Sequence, residues 1–154
     1  MTVLHVRMLD ASLEFRVDDG VHVVPVGVRT LAASISGDPP APEDLTNAIG
    51  LVVDHLDDVE RELPMTAMVD AVTVEGEGAR VVVDVEVGSP ATRPFILTHD
   101  AAEDVFRTLA TETVRDRSRN PGLPSAWVHD VLGACCALVA LMRRLHVSAV
   151  EVQP

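Results

Sequence analysis

The stretch GACCALVALMRRL, residues 133–145, lies in the most apolar run of the chain and carries both of its cysteines. The run from Val131 to Met142 falls far short of the ~20 residues that a membrane-spanning helix needs, and it closes on Arg143 and Arg144. Trp127, Val128, Val131, Leu132, Cys135, Leu138, Val139, Met142 and Leu145 recur at spacings of three and four. That periodicity predicts a buried core helix, with Ser125 after Pro124 as its N-cap. Adjacent cysteines such as Cys135 and Cys136 do not readily pair within a helix, and no third cysteine exists, so both read as reduced core side chains.

Around this helix the chain has the means for one core. Its 154 residues, 47% apolar against 23% charged, suffice for a single folded unit spanning residues 1–154 and are too few for two comfortable ones. A formal charge of −12 excludes a general electrostatic grip on nucleic acid or anionic lipid, which requires basic residues to displace counterions. Every basic residue is arginine, and this excludes a lysine nucleophile, a Schiff base and a Walker-type phosphate loop. With only Phe15, Phe95, Phe106 and Trp127 as aromatics there is no stacking platform for single strands. The opening MTVLHVRMLD has no basic segment followed by a long apolar run, so no secretory leader is expected and the expected location is cytoplasmic.

Read from the start, TVLHVRML, LEFRV and VHVVPV predict three short strands, with DDG at residues 18–20 as a hairpin turn. After the proline-rich GDPPAP, Leu45, Ile49, Val52, Leu56, Val59 and Leu63 predict a helix over residues 43–63, its opposite face acidic with Asp54, Asp57, Asp58 and Glu60. AMVDAVTV, EGEG and ARVVVDVEV predict a second hairpin, with Val81, Val83, Val85 and Val87 on one face. RPFILT is extended, Thr98 caps a helix over residues 99–111, RDRSRNPGLP is a loop, and VSAVEV is a last strand after the core helix. The fold class is therefore α/β, a mixed sheet covered by helices, in an order that resembles a ribonuclease H-like unit.

The segment HDAAEDVFRTLATETVRDRSRNPGLPSAWVHDVLGACCALVALMRRLHVSAVEV resembles the exopolyphosphatase and guanosine pentaphosphate phosphohydrolase (Ppx/GppA) family. The resemblance lies in a helix leading to a PGLP-like loop, then a long helix with Asp130 and Gly133 early and Met142 late, then a VSxxEV-like strand with Val147 and Glu151. VPVGVRTLAASISGDPPAPEDL resembles the family's strand, PLG-like turn, proline-rich spacer and helix start. The resemblance extends over nearly the whole chain but only to the second half of the family's two-part module. It implies one ribonuclease H-like half of the actin-like ATPase superfamily, in which phosphate chains bind between two halves and water attacks with metal assistance.

The family's D-x-G-G-G-S-x-E phosphate loop is met here by RMLDASLE. Arg7 stands for the aspartate, Leu9, Asp10 and Ala11 stand for the glycines, and only Ser12 and Glu14 match, adding bulk and negative charge where an anion would sit. The second phosphate loop falls near VDAVTVEGEG, where Glu75 and Glu77 repel phosphate. The reading that follows is a degenerate, non-catalytic relative acting through a protein partner or as a homodimer that imitates the two-part cleft. One alternative is a residual magnesium-dependent phosphohydrolase that needs a partner half and uses Asp10, Ser12 and Glu14. The other is a regulatory domain that senses a phosphate-containing small molecule through Arg115, Arg117, Arg119, Arg143 and Arg144, in competition with the chain's own carboxylates. The six histidines are scattered without the spacing of a metal motif, so no metal site is expected of them. No cofactor is expected beyond the magnesium of the residual hydrolase, and neither nucleic acid nor membrane is expected as a partner.

Overall fold

Alternation of apolar and polar residues builds the first three strands, β1 (Val3–Met8), β2 (Leu13–Val17) and β3 (Gly20–Val24), in the computed structural model, which describes residues Met1–Pro154. Asp18 and Asp19 turn the chain between Val17 and Gly20, with Asp18 left-handed at φ 51°. There follow α1 (Val28–Ala33), α2 (Pro42–Glu62), β4 (Ala71–Glu75), α3 (Glu77–Val87), β5 (Phe95–Thr98), α4 (His99–Thr111), α5 (Val114–Arg117), α6 (Val131–Leu145) and β6 (Ala149–Val152). Single turns of 3-10 helix lie at Pro64–Met68 and Ser125–Trp127. The sheet order is β3-β2-β1-β4-β6-β5, with β1, β4 and β6 parallel and the other neighbours antiparallel.

The expected hairpin over residues 67–87 does not form. β4 already has parallel neighbours on both sides, β1 and β6, so no edge is left for an antiparallel return. Gly76, at φ 131°, turns the chain into α3 instead. Ala79, Val82 and Val83, at helical spacing, are buried, whereas Val87, which a strand would have shared with Val81 and Val83, is 47% exposed. β-branched residues lose a few tenths of a kcal/mol each in a helix, and burying one valine returns about 1.5 kcal/mol or more. The remaining departures are small. The core helix begins at Val131 after a separate turn at Ser125, α5 occupies the start of the expected loop, and α1 is a short helix beyond those the periodicity predicts. α4 matches its expected span, and Thr98 Oγ1 accepts a hydrogen bond from Ala101 N at 3.1 Å.

All residues of α6 from Val131 to Met142 are buried, as befits a helix apolar on every side. It packs against α1, α2, α3 and α4. No helix is long and apolar enough to cross a membrane. Cys135 and Cys136 are both buried and unpaired; desolvation raises both thiol pKa values, that of Cys136 to about 12, although Arg143 opposes the shift there. Gly133 lets α6 meet α1 closely, since a Cβ there would lie 1.9 Å from Val28 O.

The helices cover one face of the sheet only. Leu4, Val6, Met8, Phe15, Val72, Val74, Leu97, Val150 and Val152 are buried on that face. His5, Arg7, Arg16, Val21, Val23, Glu75 and Ile96 are exposed on the other.

Arg117, one of two buried polar residues, is 1% exposed. Its Nε donates to Val128 O at 2.9 Å, and its Nη1 donates to Glu112 O at 2.9 Å and Leu109 O at 3.3 Å. It thereby ties the end of α4 to the segment that leads into α6. Desolvation lowers its pKa, opposed by the charges of Asp38 and Glu112.

Two stability predictions follow from this packing, both read from urea unfolding midpoints. Gly133→Ala should cost about 1–3 kcal/mol by forcing α6 off α1, whereas Gly50→Ala, in α2 with nothing within 4 Å of the new Cβ, should stabilise by about 0.5–1 kcal/mol. Arg117→Met should cost about 3 kcal/mol or more by stranding three carbonyls, while Arg119→Ala, an exposed residue, should stay within about 0.5 kcal/mol of the parent.

Candidate functional site

In open α/β sheets ligands bind outside the carboxyl ends of the parallel strands. Here those ends, from β1, β4 and the residues after β6, border a cleft of about 570 Å³ lined by Arg7, Met8, Leu9, Asp10, Glu75, Gly76, Glu77, Arg80 and Pro154. Gly76 allows the β4 end to approach β1, because a Cβ there would lie 2.3 Å from Met8 O.

Most polar groups of the cleft satisfy one another, and Arg80 is the lining side chain that makes no ion pair. Arg7 Nε lies 2.6 Å from Glu75 Oε1, and Arg7 Nη1 lies 3.6 Å from Glu14 Oε2. Arg29 bridges Asp10 at 3.8 Å and Asp130 at 3.3 Å. Glu77 Oε1 accepts from Trp127 Nε1 at 3.3 Å. The amides that open α1 are also occupied: Leu9 O accepts from Val28 N at 2.9 Å, and Asp10 O accepts from Arg29 N at 2.9 Å and Thr30 N at 3.3 Å. Gly27 permits this seating, since a Cβ there would lie 2.4 Å from both Leu9 O and Ser12 N. The loop that would have to cradle an anion instead turns its own carbonyls onto the helix end.

Asp10, Ser12 and Glu14 take up different surroundings. Asp10 is exposed at the mouth of the cleft beside Arg29, and Glu14 lies on the open sheet face between Arg7 and Arg16. Ser12 closes the loop through its carbonyl, which accepts from Leu9 N at 3.0 Å. No group of three or more His, Cys, Asp or Glu side chains is arranged to hold a metal ion, and Asp10 and Glu14 belong to separate ion pairs.

Four of the five arginines of the expected anion site are engaged separately. Arg117 is buried among carbonyls, and Arg119 faces Asp116 at 3.8 Å. Arg143 grips Glu103 of α4 with four contacts of 2.5–3.1 Å. Arg144 binds Asp57 and Glu60 of α2 at 2.7–3.0 Å, which raises its pKa. Part of the acidic face of α2 is therefore a clamp on α6 as well as a solvated surface. Arg115 alone is exposed and outside these pairs.

A second hollow, of about 630 Å³, lies on the open sheet face over His5, Arg7, Glu14, Arg16, Thr73 and Glu75. His5 Nδ1 and Thr73 Oγ1 are 2.7 Å apart across β1 and β4, and Glu14 also meets Arg16 at 3.4 Å. Sequence reasoning missed this ladder. Its only trace is that Arg7 and Glu75 both occupy outward positions near the ends of their strands, and their register as neighbours is a property of the sheet.

No protein-family model matches the chain, and no curated protein matches it. Solved structures do. The Aquifex aeolicus PPX-GPPA enzyme superposes with a TM-score of 0.86 at 17% identity, over 99% of this chain and 53% of that one. An exopolyphosphatase-like protein gives 0.90 at 13% identity, over 99% and 54%, and an exopolyphosphatase from Cytophaga hutchinsonii gives 0.73 at 14%, over 99% and 53%. The chain spans about half the length of these structures. With its mixed six-stranded sheet, it has the fold of one ribonuclease H-like half of the Ppx/GppA exopolyphosphatases.

Proposed function

We propose that this chain is a non-catalytic form of the Ppx/GppA half-module that works through protein contacts, with another protein or a second copy of itself as partner. The observation that carries the reading is the state of the strand-end cleft. Its mouth carries Asp10, Glu75 and Glu77, its Arg7 is neutralised by Glu75 and Glu14 and the adjoining Arg29 by Asp10 and Asp130, and the first amides of α1 are spent on the carbonyls of Leu9 and Asp10. A phosphate chain entering there would meet three carboxylates at short range, with Arg80 the one lining cation outside an ion pair. The residual hydrolase would require Asp10 and Glu14 to share a metal, and they belong to separate ion-pair sets. An anion sensor using more than Arg115 would need Arg117, Arg119, Arg143 or Arg144 freed from the partners they hold.

The reading predicts that thermal unfolding is unmoved by inorganic phosphate, pyrophosphate, polyphosphate, ATP or guanosine tetraphosphate, with or without magnesium. A ligand at a hundred times its dissociation constant would add about 2.7 kcal/mol. A shift confined to one of these compounds, or magnesium-dependent phosphate release lost in Glu14→Gln, would overturn it.

A further inference from the structure

The outermost strand, β3, is an open edge. Val17 and Gly20 close a two-residue turn, and from that turn the register runs Arg16 to Val21, Phe15 to His22 and Glu14 to Val23. In such a hairpin the closing pair is hydrogen-bonded and the pairs alternate outward from it, so Gly20, His22 and Val24 bond to β2. The amide and carbonyl groups of Val21 and Val23 then point away from the sheet. No turn, loop or side-chain hydrogen bond reaches either residue. Their side chains stand 48% and 53% exposed on the open face.

Sheet edges are ordinarily guarded by charge, proline or brevity. The opposite edge is the more guarded: β5 has four residues, follows Pro94 directly and runs straight into α4 at His99, whereas β3 has five residues and meets its proline, Pro25, only after its last residue. Between Gly20 and Val28 there is no Asp, Glu or Arg, although the chain as a whole carries a net charge of −12. An uncharged edge offers a charged partner nothing to read, but it is complementary to itself.

We propose that β3 is a homodimer interface, pairing antiparallel with β3 of a second copy about a two-fold axis at His22. In that register Val21 of each copy lies opposite Val23 of the other, and the four outward amides and four outward carbonyls form four hydrogen bonds. Val21 and Val23 pack beside their counterparts on the open face, and the two sheets become one of twelve strands. The operation closes on itself, whereas joining β3 to β5 would propagate a filament. One strand edge buries less than the ~1,200 Å² of a stable complex, so the dimer is reversible and depends on concentration. Because both copies are strongly acidic, added salt should strengthen it.

This proposal rests on the reading that the chain acts through protein contacts. Its test is sedimentation velocity over a wide concentration range at low and high salt, on the parent and on Val21→Lys, Val23→Lys and Ile96→Lys. The expected result is a dimer that grows with concentration and with salt, weakened at least about tenfold by either valine variant and unchanged by Ile96→Lys at the other edge. Each variant should keep a cooperative unfolding transition, because all three side chains are exposed. Amide exchange on the parent gives a readout that needs no variant: Val21 and Val23 should become protected as concentration rises. A dimer that survives both valine variants without protection of these amides overturns the edge assignment and leaves the contact reading standing. A parent that stays monomeric throughout overturns the dimer, whereas the contact reading itself falls only to a phosphate-specific stabilisation or turnover.

Discussion

Helix α6 is enclosed from Val131 to Met142, and the other elements are placed by the need to enclose it. A helix apolar on every side cannot rest at a surface, so α1, α2, α3 and α4 gather round it and form one continuous core with the buried face of the sheet. The packing leaves little slack. Gly133 brings the α6 backbone against Val28 O, and Gly78 brings α3 within reach of Ala134. At its far end α6 is held by charge, with Arg143 on Glu103 of α4 and Arg144 on Asp57 and Glu60 of α2. These partly exposed pairs contribute modestly to stability. Their clearer consequence is to set which helices lie beside the end of α6.

The same constraint shapes the strand-end cleft. Because α1 is pressed against α6 at Gly133, its first turn faces the loop after β1, and the carbonyls of Leu9 and Asp10 cap it. A helix end with free amides favours anions, and one already capped by backbone carbonyls has lost most of that attraction. The adjoining arginines, Arg7 and Arg29, are drawn to Glu75, Glu14, Asp10 and Asp130. The cleft keeps the position expected of a ligand site in this fold while most of its polar groups, Arg80 apart, are directed at one another.

The sheet is covered on one face only. Parallel strands are ordinarily buried on both faces, and here β1, β4 and β6 present His5, Arg7, Thr73, Glu75 and Glu151 on the uncovered side. Cross-strand pairs such as Arg7 with Glu75 and His5 with Thr73 make that face compatible with water. The valines of β3 and Ile96 of β5 are its apolar margins.

Local patterning determined much of the fold. Alternation marked β1 to β3, periodicity marked α2 and the core helix, and a cap with acidic first-turn residues marked α4; each is a relation among residues a few positions apart. The residues of RMLDASLE and VEGEG, which by the family resemblance stand where phosphate loops are expected, were equally legible. The tertiary structure decided the rest. Residues 79–87 carry a valine pattern that suits a strand, yet they fold as α3 because both edges of β4 are taken and α6 offers a surface at helical spacing. Arg117 reads as a surface cation in sequence and is instead the buried tie of α4 to α6. The partners of Arg7, Arg29, Arg143 and Arg144 come from distant segments. Which carboxylate neutralises which arginine follows from strand register and helix packing, and no short window of sequence contains either.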